Sequence, residues 1–298
     1  MRRPVAIDQR ARVLQSTARL LESLEGCPLV TVSCPACGSD ERFHATTRQG
    51  MSYVRCTNCS CVYADRRPTE EALVQMYRRF PDCAAGHETA PYDPRDEARE
   101  ARYRLGCIRQ VARSGRLLDV GCGRGDFLKA ARHSFRVVGV DVAARMTPPD
   151  EGIPLFDGPL EDAAFEEGSF HVVTAFEVLE HLFDPTSALR AVHRVLAADG
   201  VFVFQTGDAD SFRARLNLES WPYLQPPVHL NILGRRSLAI LMRRTGFRVV
   251  KAWSFGRAPH RIMGMTRFPN PEVLRPLLDV VARVGLVGRM YAALRVDA

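Results

Sequence analysis

Residues 116–141 contain the order of elements that most narrows the folds open to this chain. An apolar run at Arg116–Val120 ends in the glycine loop GCGRG at residues 121–125, and the segment DFLKAARHS after it has helical periodicity. A second apolar run, FRVVGV, ends at Asp141. Strand, glycine loop, helix, strand and acid form the first half of a dinucleotide-type fold: the glycines let the backbone approach a ligand, and the acid accepts hydrogen bonds from ribose hydroxyls. The sequence therefore predicts an α/β domain of the Rossmann type.

Two C-x-x-C pairs lie in the N-terminal third, among the alternating segments MSYVRC and CVYA, which predict short ribbon strands. Cys34 and Cys37 are separated from Cys56 and Cys59 by eighteen residues, a spacing typical of structural zinc sites. Four thiolates complete a closed tetrahedron that leaves no position for water, which favours a role in folding rather than catalysis. We therefore expect these four cysteines to hold zinc in a ribbon that would be hard to stabilise without metal. The alternative is four reduced cysteines that bind nothing.

Composition and charge limit the classes of function. Residues 1–26 lack an apolar signal core, and no apolar run reaches the length of a membrane span. We therefore expect a cytoplasmic protein without a membrane span, in which the nine cysteines stay reduced. The net charge is +7, and residues 221–271 contain nine Lys and Arg but no Asp or Glu. Such a segment favours an anionic small molecule or nucleic acid as a partner, or it is a solvated helix face.

The pattern divides the chain into four segments. We predict an N-terminal helix at residues 1–30, a zinc ribbon at 31–66, a helical linker or cover at 67–115 and a Rossmann-like domain at 116–298. Within residues 67–115, we expect Thr69 to cap a first helix and a second helix to end at Gly115. Between them we expect the polar stretch CAAGHETAPYDPRDEA to serve as a hinge or as a substrate-facing cover. We expect residues 271–285 to form an amphipathic helix beside the sheet, with a homodimer contact or a membrane-surface role as the alternative.

The glycine loop has the spacing G-x-G-x-G with Asp119 just before it, which resembles motif I of the class I S-adenosylmethionine-dependent methyltransferases. The resemblance continues through LLDVGCGRGDFL, VVGVD, GSFHVVTAFEVLEHLFDP, LAADGVFVFQT and PPVHLNILGRRSLAILMRRTGF. It implies a seven-stranded Rossmann-like sheet with the strands LLDV, RVVGV, IPLF, HVVTAF, VFVFQT, RVVKAWSF and an antiparallel MYAALRV. A zinc ribbon ahead of such a core is similar to bacterial methyltransferases of polysaccharide, sugar-nucleotide and natural-product pathways.

The same resemblance implies a site for S-adenosylmethionine. The acid and the glycines of motif I would hold its methionine end, Asp141 its ribose, and Leu160 with Glu161 its adenine. The full set of cofactor residues implied is Asp119, Gly121, Cys122, Gly123, Gly125, Asp141, Leu160, Glu161 and Phe176.

The segment FEVLEHLFDP carries Glu177, Glu180 and His181, which we expect a helix to bring onto adjacent turns. His229 would complete the set from across the pocket and is the candidate proton acceptor, because an imidazole can be neutral near physiological pH. This arrangement is similar to that of ubiquinone-pathway O-methyltransferases and small-RNA terminal 2′-O-methyltransferases, where it is associated with a divalent ion. Mg²⁺ or Mn²⁺ is therefore one interpretation. In the other, the acids cap a helix and the histidines are structural.

The resulting hypothesis is a methyltransferase that acts on a small-molecule acceptor, such as a sugar, a sugar nucleotide or a secondary metabolite, at a hydroxyl group. An RNA-modifying methyltransferase is the alternative, although the ribbon has no row of aromatic and basic residues for stacking on bases. A non-catalytic cofactor-binding scaffold is the third interpretation.

Overall fold

Five short strands make up the cysteine-rich part of the computed structural model, which describes residues 15–80, 94–143, 152–254 and 289–296. They are β1 (Leu29–Thr31), β2 (Arg42–Arg48), β3 (Met51–Cys56), β4 (Val62–Tyr63) and β5 (Arg66–Pro68). β1 pairs with β5, while β2, β3 and β4 form an antiparallel ladder in which Val54 lies opposite Tyr63. The short strands predicted from the alternating segments are thus present.

Helices follow the ribbon. Residues 15–23 are helical, and α1 (Glu70–Arg79) begins as predicted after Thr69, whose side chain accepts a hydrogen bond from the Ala72 N–H. α2 (Pro94–Ile108) ends before the predicted Gly115, because the chain turns where the Val111 and Ala112 N–H groups both donate to the Ile108 carbonyl. Most of the polar stretch and the helix predicted at 271–285 lie outside the described residues. Within the described ranges, no helix has the length and apolar character needed to cross a membrane.

The rest of the described chain contains eight strands, seven of which form the central sheet. In chain order the elements are β6 (Arg116–Val120), α3 (Asp126–Ala131), β7 (Arg136–Asp141), β8 (Leu155–Asp157), β9 (Phe170–Phe176), α4 (Pro185–Val195), β10 (Leu196–Thr206), α5 (Phe212–Leu216), β11 (Asn231–Ile232), α6 (Arg235–Arg244), β12 (Phe247–Ser254) and β13 (Arg289–Arg295). The sheet order is β12-β13-β10-β9-β6-β7-β8, and β13 runs antiparallel to both of its neighbours. The predicted α/β fold and its seven strands are confirmed.

The strand order positions a crevice at the carboxyl ends of β6 and β9. β6 pairs in parallel with β7 on one side and with β9 on the other, so the chain leaves the sheet centre in opposite directions. Ligands of open α/β sheets bind at such a switch point. β9 is buried along almost its whole length, as expected for a parallel strand covered on both faces.

The ribbon and the central sheet are joined through β11. This short strand pairs antiparallel with β4, with Asn231 opposite Tyr63 and Ile232 opposite Val62, so the second sheet has the order β11-β4-β3-β2. A segment from the predicted Rossmann-like domain therefore extends the ribbon's own sheet.

Candidate active site

The glycine loop between β6 and α3 forms the floor of the crevice. Gly121 and Gly123 have φ angles of 68° and 51°, in the left-handed region that residues other than glycine rarely adopt. A Cβ on Gly121 would lie 2.5 Å from Cγ2 of Val178. The backbone therefore requires glycine at this position both for its conformation and for the close approach of the neighbouring turn.

Asp141 ends β7 and closes the glycine loop. Its Oδ2 accepts a hydrogen bond from the Gly123 N–H at 2.8 Å, and its Oδ1 accepts one from the Ala143 N–H at 2.8 Å. Burial raises the pKa of Asp141, while the two N–H donors act in the opposite direction. Since each carboxylate oxygen can accept a second hydrogen bond, the side chain can hold the loop and a ligand at the same time.

Asp119 lies at the end of β6, behind the loop. Its side chain is buried, and its Oδ1 accepts a hydrogen bond from the Thr174 hydroxyl at 2.6 Å. Burial raises the pKa of Asp119 to about 7, although Thr174 and the charge of Arg104 favour the ionised form. The acid therefore titrates near physiological pH in the absence of a ligand.

A cavity of about 730 Å³ runs from the glycine loop to the segment around residue 225. One end is lined by eight of the cofactor residues implied by the resemblance, namely Asp119, Gly121, Cys122, Gly123, Asp141, Leu160, Glu161 and Phe176. The other end is lined by Glu177, His181, Trp221, Tyr223 and His229. Two of the expected site residues do not line the cavity. Gly125 lies immediately before α3, and Glu180 is fully buried behind the cavity wall.

Residues 177–184 form an irregular turn, so the expectation that a helix aligns the acids and the histidine is wrong. Glu177 has a φ of 57°, and its N–H donates to the Gln205 carbonyl at 2.9 Å, which ends β9 in a left-handed conformation. α4 begins only at Pro185, because the Asp184 side chain caps the Thr186 and Ser187 N–H groups.

The turn nevertheless brings Glu180 and His181 to His229. One donor atom of each residue lies within 4.8 Å of the others, and the two imidazole centroids are 4.7 Å apart. Glu177 lies beside this cluster rather than in it, and its Oε1 accepts a hydrogen bond from Nε2 of Gln205 at 2.7 Å. Three of the four residues expected to act together are thus in mutual reach.

Both carboxylate oxygens of Glu180 are hydrogen-bonded. The Tyr223 hydroxyl donates to Oε1, and the Thr206 hydroxyl donates to Oε2 at 3.0 Å. The same Tyr223 hydroxyl accepts a hydrogen bond from the Gly207 N–H at 2.6 Å. Burial, with the nearby charge of Glu177, raises the pKa of Glu180 well above its usual value. The carboxyl group is therefore held in one orientation behind the cavity wall.

The two histidines of the cluster are neutral. Nδ1 of His229 donates to the Tyr223 carbonyl, which leaves the lone pair on Nε2. Burial lowers the pKa of His229 to about 4. Burial and the proximity of His229 lower the pKa of His181 well below its usual value, and Nδ1 of His181 lies 3.0 Å from the Tyr77 hydroxyl of α1. At neutral pH the cluster therefore offers imidazole nitrogens as acceptors or ligands.

The four ribbon cysteines converge on one point. Sγ of Cys34 lies 3.4 Å from Sγ of Cys59, Sγ of Cys37 lies 3.5 Å from Sγ of Cys56, and all four lie within 4.8 Å of one another. A zinc ion bound by four thiolates at about 2.3 Å has sulfur–sulfur edges of roughly 3.8 Å. The donor set and its spacing therefore fit a closed zinc site. The buried Cys61 thiol faces the carbonyls of Val62 and Ile232 instead.

Two residues that the motifs did not mark also shape the cavity. Arg104 of α2 lies 4.3 Å from the centroid of the Phe176 ring, and its Nε donates to Oε1 of Gln205 at 3.2 Å. Gln205 in turn holds Glu177. Arg104 is one of several arginines on α2, and only the way this helix crosses the sheet distinguishes it from the others.

In the described part of the basic segment, residues 221–254, two cationic side chains donate hydrogen bonds to other parts of the chain. Nη1 of Arg244 donates to the Ala36 carbonyl at 3.0 Å, and Nζ of Lys251 donates to Oε1 of Gln110 at 2.8 Å. These two cations therefore join α6 to the ribbon and β12 to the segment after α2. Residues 255–271 lie outside the described residues.

Comparison with known proteins decides the family. The family model for a methyltransferase domain, Methyltransf_23, matches residues 83–252, more than half of the chain. The chain belongs to this methyltransferase family. The chain is 36% identical over 130 residues to a ubiquinone biosynthesis O-methyltransferase of Bordetella parapertussis, covering 38% of this chain and 54% of that protein. It is 33% identical over 101 residues to the protein of the same name from Pseudomonas aeruginosa, covering 30% and 44%.

The chain spans about half the length of the curated relatives that it matches. Solved structures resemble a larger share of it. A chain from the complex between the Haloferax volcanii Trm112 methyltransferase activator and a methyltransferase has a TM-score of 0.54 at 18% identity, covering 76% of this chain and 98% of that one. A methyltransferase from Archaeoglobus fulgidus has a TM-score of 0.51 at 19% identity, covering 70% and 97%. These likenesses establish the fold alone, which is that of the class I S-adenosylmethionine-dependent methyltransferases.

Proposed function

We propose that this protein transfers the methyl group of S-adenosylmethionine to a hydroxyl group of a small molecule. The observation that carries the proposal is the shared cavity, with the glycine loop and Asp141 at one end and the neutral imidazole of His229 at the other. The curated relatives are named O-methyltransferases, which fits oxygen as the atom methylated.

At the cofactor end we assign the methionine portion of S-adenosylmethionine to Asp119 and to the part of the glycine loop that lines the cavity, Gly121 through Arg124. Cys122 would contribute backbone only, because its Sγ packs over Gly139, where a Cβ would lie 2.8 Å away. Asp141 would accept hydrogen bonds from the ribose hydroxyls through the carboxylate lone pairs that the Gly123 and Ala143 N–H groups do not use. Leu160 and Glu161 would contact adenine, and Phe176 would close the cavity beside the methionine.

At the acceptor end, His229 would remove the hydroxyl proton. When bound, S-adenosylmethionine supplies a methyl group activated by its sulfonium, so the protein's tasks are alignment and proton removal. Nε2 of His229 would take the proton as the oxygen–carbon bond forms and the methyl carbon–sulfur bond breaks, with S-adenosylhomocysteine as the leaving thioether. The imidazolium would keep its Nδ1–H bond to the Tyr223 carbonyl. Because burial makes this imidazole a weak base, the site favours acceptors whose hydroxyl is acidic or is acidified by a cation.

A divalent ion held by Glu180, His181 and His229 is the second assignment. It is favoured by the three donor atoms within 4.8 Å of one another. One carboxylate and two imidazoles suit Mn²⁺ better than Mg²⁺, which prefers oxygen ligands. Such an ion would lower the pKa of a hydroxyl bound to it, and His229 would then be a ligand rather than the base. Titration with Mn²⁺ followed by electron paramagnetic resonance would give one bound ion per chain, lost in His181→Ala.

The ribbon completes the proposed cofactor set. Cys34, Cys37, Cys56 and Cys59 would hold one structural zinc ion, a proposal supported by their sulfur–sulfur distances. Thiolate ligands of this kind persist in a reducing compartment, which is why we assign the reaction to the cytoplasm.

The purified protein, incubated with methyl-labelled S-adenosylmethionine and a host lysate, tests the proposal. Label in small molecules or glycans supports it and yields a product in which the methylated atom can be identified. Label in RNA would overturn the small-molecule assignment, and the basic segment would become the candidate contact. No label in any fraction, with S-adenosylmethionine still bound, would favour the non-catalytic scaffold.

A further inference from the structure

The ribbon reaches the acceptor end of the cavity directly. β4 pairs with β11, and the Ala64 N–H donates to the Leu230 carbonyl at 2.9 Å. The residue before Leu230 is His229, so the candidate base lies at the point where the ribbon's sheet and the cavity wall meet.

One ribbon side chain contacts the backbone of His229 itself. Tyr53 of β3 is fully buried, and its hydroxyl donates to the His229 carbonyl at 2.9 Å. The other groups that fix this residue come from its own loop, because the His229 N–H donates to the Gln225 carbonyl at 2.8 Å and Nδ1 donates to the Tyr223 carbonyl. The Tyr53 hydroxyl thus ties the residue to the ribbon, while the two loop carbonyls hold its N–H and its ring.

We propose that Tyr53 is a positioning residue for His229, and that the ribbon thereby forms part of the acceptor half of the active site. The inference rests on the proposed role of His229. Without the Tyr53 hydroxyl, the buried His229 carbonyl would lack its hydrogen-bond donor, and residues 228–230 would shift to find another. The imidazole would then lose its fixed direction towards the acceptor, while the glycine loop and Asp141 would be unaffected.

The ribbon supplies a matched control. Tyr63 of β4 is also fully buried, but among the described residues its hydroxyl has no hydrogen-bond partner. Tyr53→Phe and Tyr63→Phe therefore remove the same atom from neighbouring strands of one sheet. Only the first removes a contact with His229.

The first readout requires no acceptor. We would label histidine with ¹⁵N in the whole 298-residue chain, purified with zinc, assign His229 with a His229→Gln variant, and follow its ring nitrogens between pH 5 and 8. The wild type and Tyr63→Phe should show one tautomer protonated at Nδ1 throughout this range. Tyr53→Phe should show exchange-broadened or tautomer-averaged signals, with unchanged zinc content.

The second readout is functional. In Tyr53→Phe the initial rate of label transfer to the small-molecule fraction of the lysate should fall by about tenfold, the effect of one lost positioning hydrogen bond. The Kd for S-adenosylmethionine should stay within about twofold in both variants, since their hydroxyls do not line the cofactor end.

Unchanged His229 signals in Tyr53→Phe would overturn the inference, as would an equal change in Tyr63→Phe, which would indicate a general packing effect. Broadened His229 signals with no loss of methyl transfer would instead leave Tyr53 as a positioning residue and remove His229 from the reaction. The failure of the inference and the failure of the proposed function are therefore distinguishable.

Discussion

Replacing Asp141 by Asn tests the proposed cofactor site at a carboxylate whose two oxygens both accept backbone hydrogen bonds. Each oxygen of Asp141 already accepts one backbone N–H, from Gly123 and from Ala143. An Asn side chain has one oxygen and one amide nitrogen, so in either orientation a donor faces one of these N–H groups. The variant therefore loses one charge-assisted hydrogen bond within the site and weakens the acceptors available to the ribose.

A hydrogen bond to a charged group contributes roughly 1.5–3 kcal/mol. We therefore expect Asp141→Asn to raise the Kd for S-adenosylmethionine by roughly 10- to 150-fold, measured by isothermal titration calorimetry. Asp199→Asn, at an exposed position of β10, is the control for a change in net charge and should bind like the wild type. A Kd for Asp141→Asn within twofold of the wild-type value would refute the placement of the ribose at Asp141.

Three further predictions concern stability. Because the ribbon cysteines share a hydrophobic core with the central sheet, Cys59→Ser should lose the zinc ion that we propose for the ribbon, as measured by mass spectrometry, and should lower the calorimetric Tm of the whole chain. An unchanged Tm would contradict the structural role. Burial raises the pKa of Asp119 in the folded protein to about 7. The ligand-free protein should therefore lose stability as pH rises from about 4 to 7, by up to about 1.4 kcal/mol per pH unit from this group. The free energy of unfolding in urea, plotted against pH, should fall less steeply for Asp119→Asn than for the wild type, and an identical pH dependence would count against the raised pKa. Asp184→Ala removes the cap of α4 and should reduce the free energy of unfolding in urea by about 1 kcal/mol, whereas no reduction would mean that solvent replaces the cap.

The sequence predicted the elements of the central sheet because its parallel strands are buried on both faces and appear as continuous apolar runs. The glycine loop was equally predictable, since the positive φ angles of Gly121 and Gly123 require that residue. The cysteine cluster was also predictable from the sequence, because structural zinc sites use a small set of ligand types at characteristic spacings.

Residues 177–184 could not be predicted from local spacing. The i, i+3, i+4 pattern favours a helix, but the left-handed Glu177 and the cap at Asp184 delay the helix to Pro185. Tyr53 and Arg104 make their contacts between segments that are distant in the sequence. Such contacts follow from tertiary packing, and no local periodicity carries them.

The most direct test of the central claim separates the two ends of the cavity in one protein. His229→Ala and the wild type would be compared for binding of S-adenosylmethionine and for transfer of its labelled methyl group to small molecules of the lysate. We expect the variant to bind the cofactor with the wild-type Kd and to transfer label at least about a hundredfold more slowly, as for loss of a general base. Undiminished transfer, or equal losses in binding and transfer, would contradict the claim that His229 serves the acceptor.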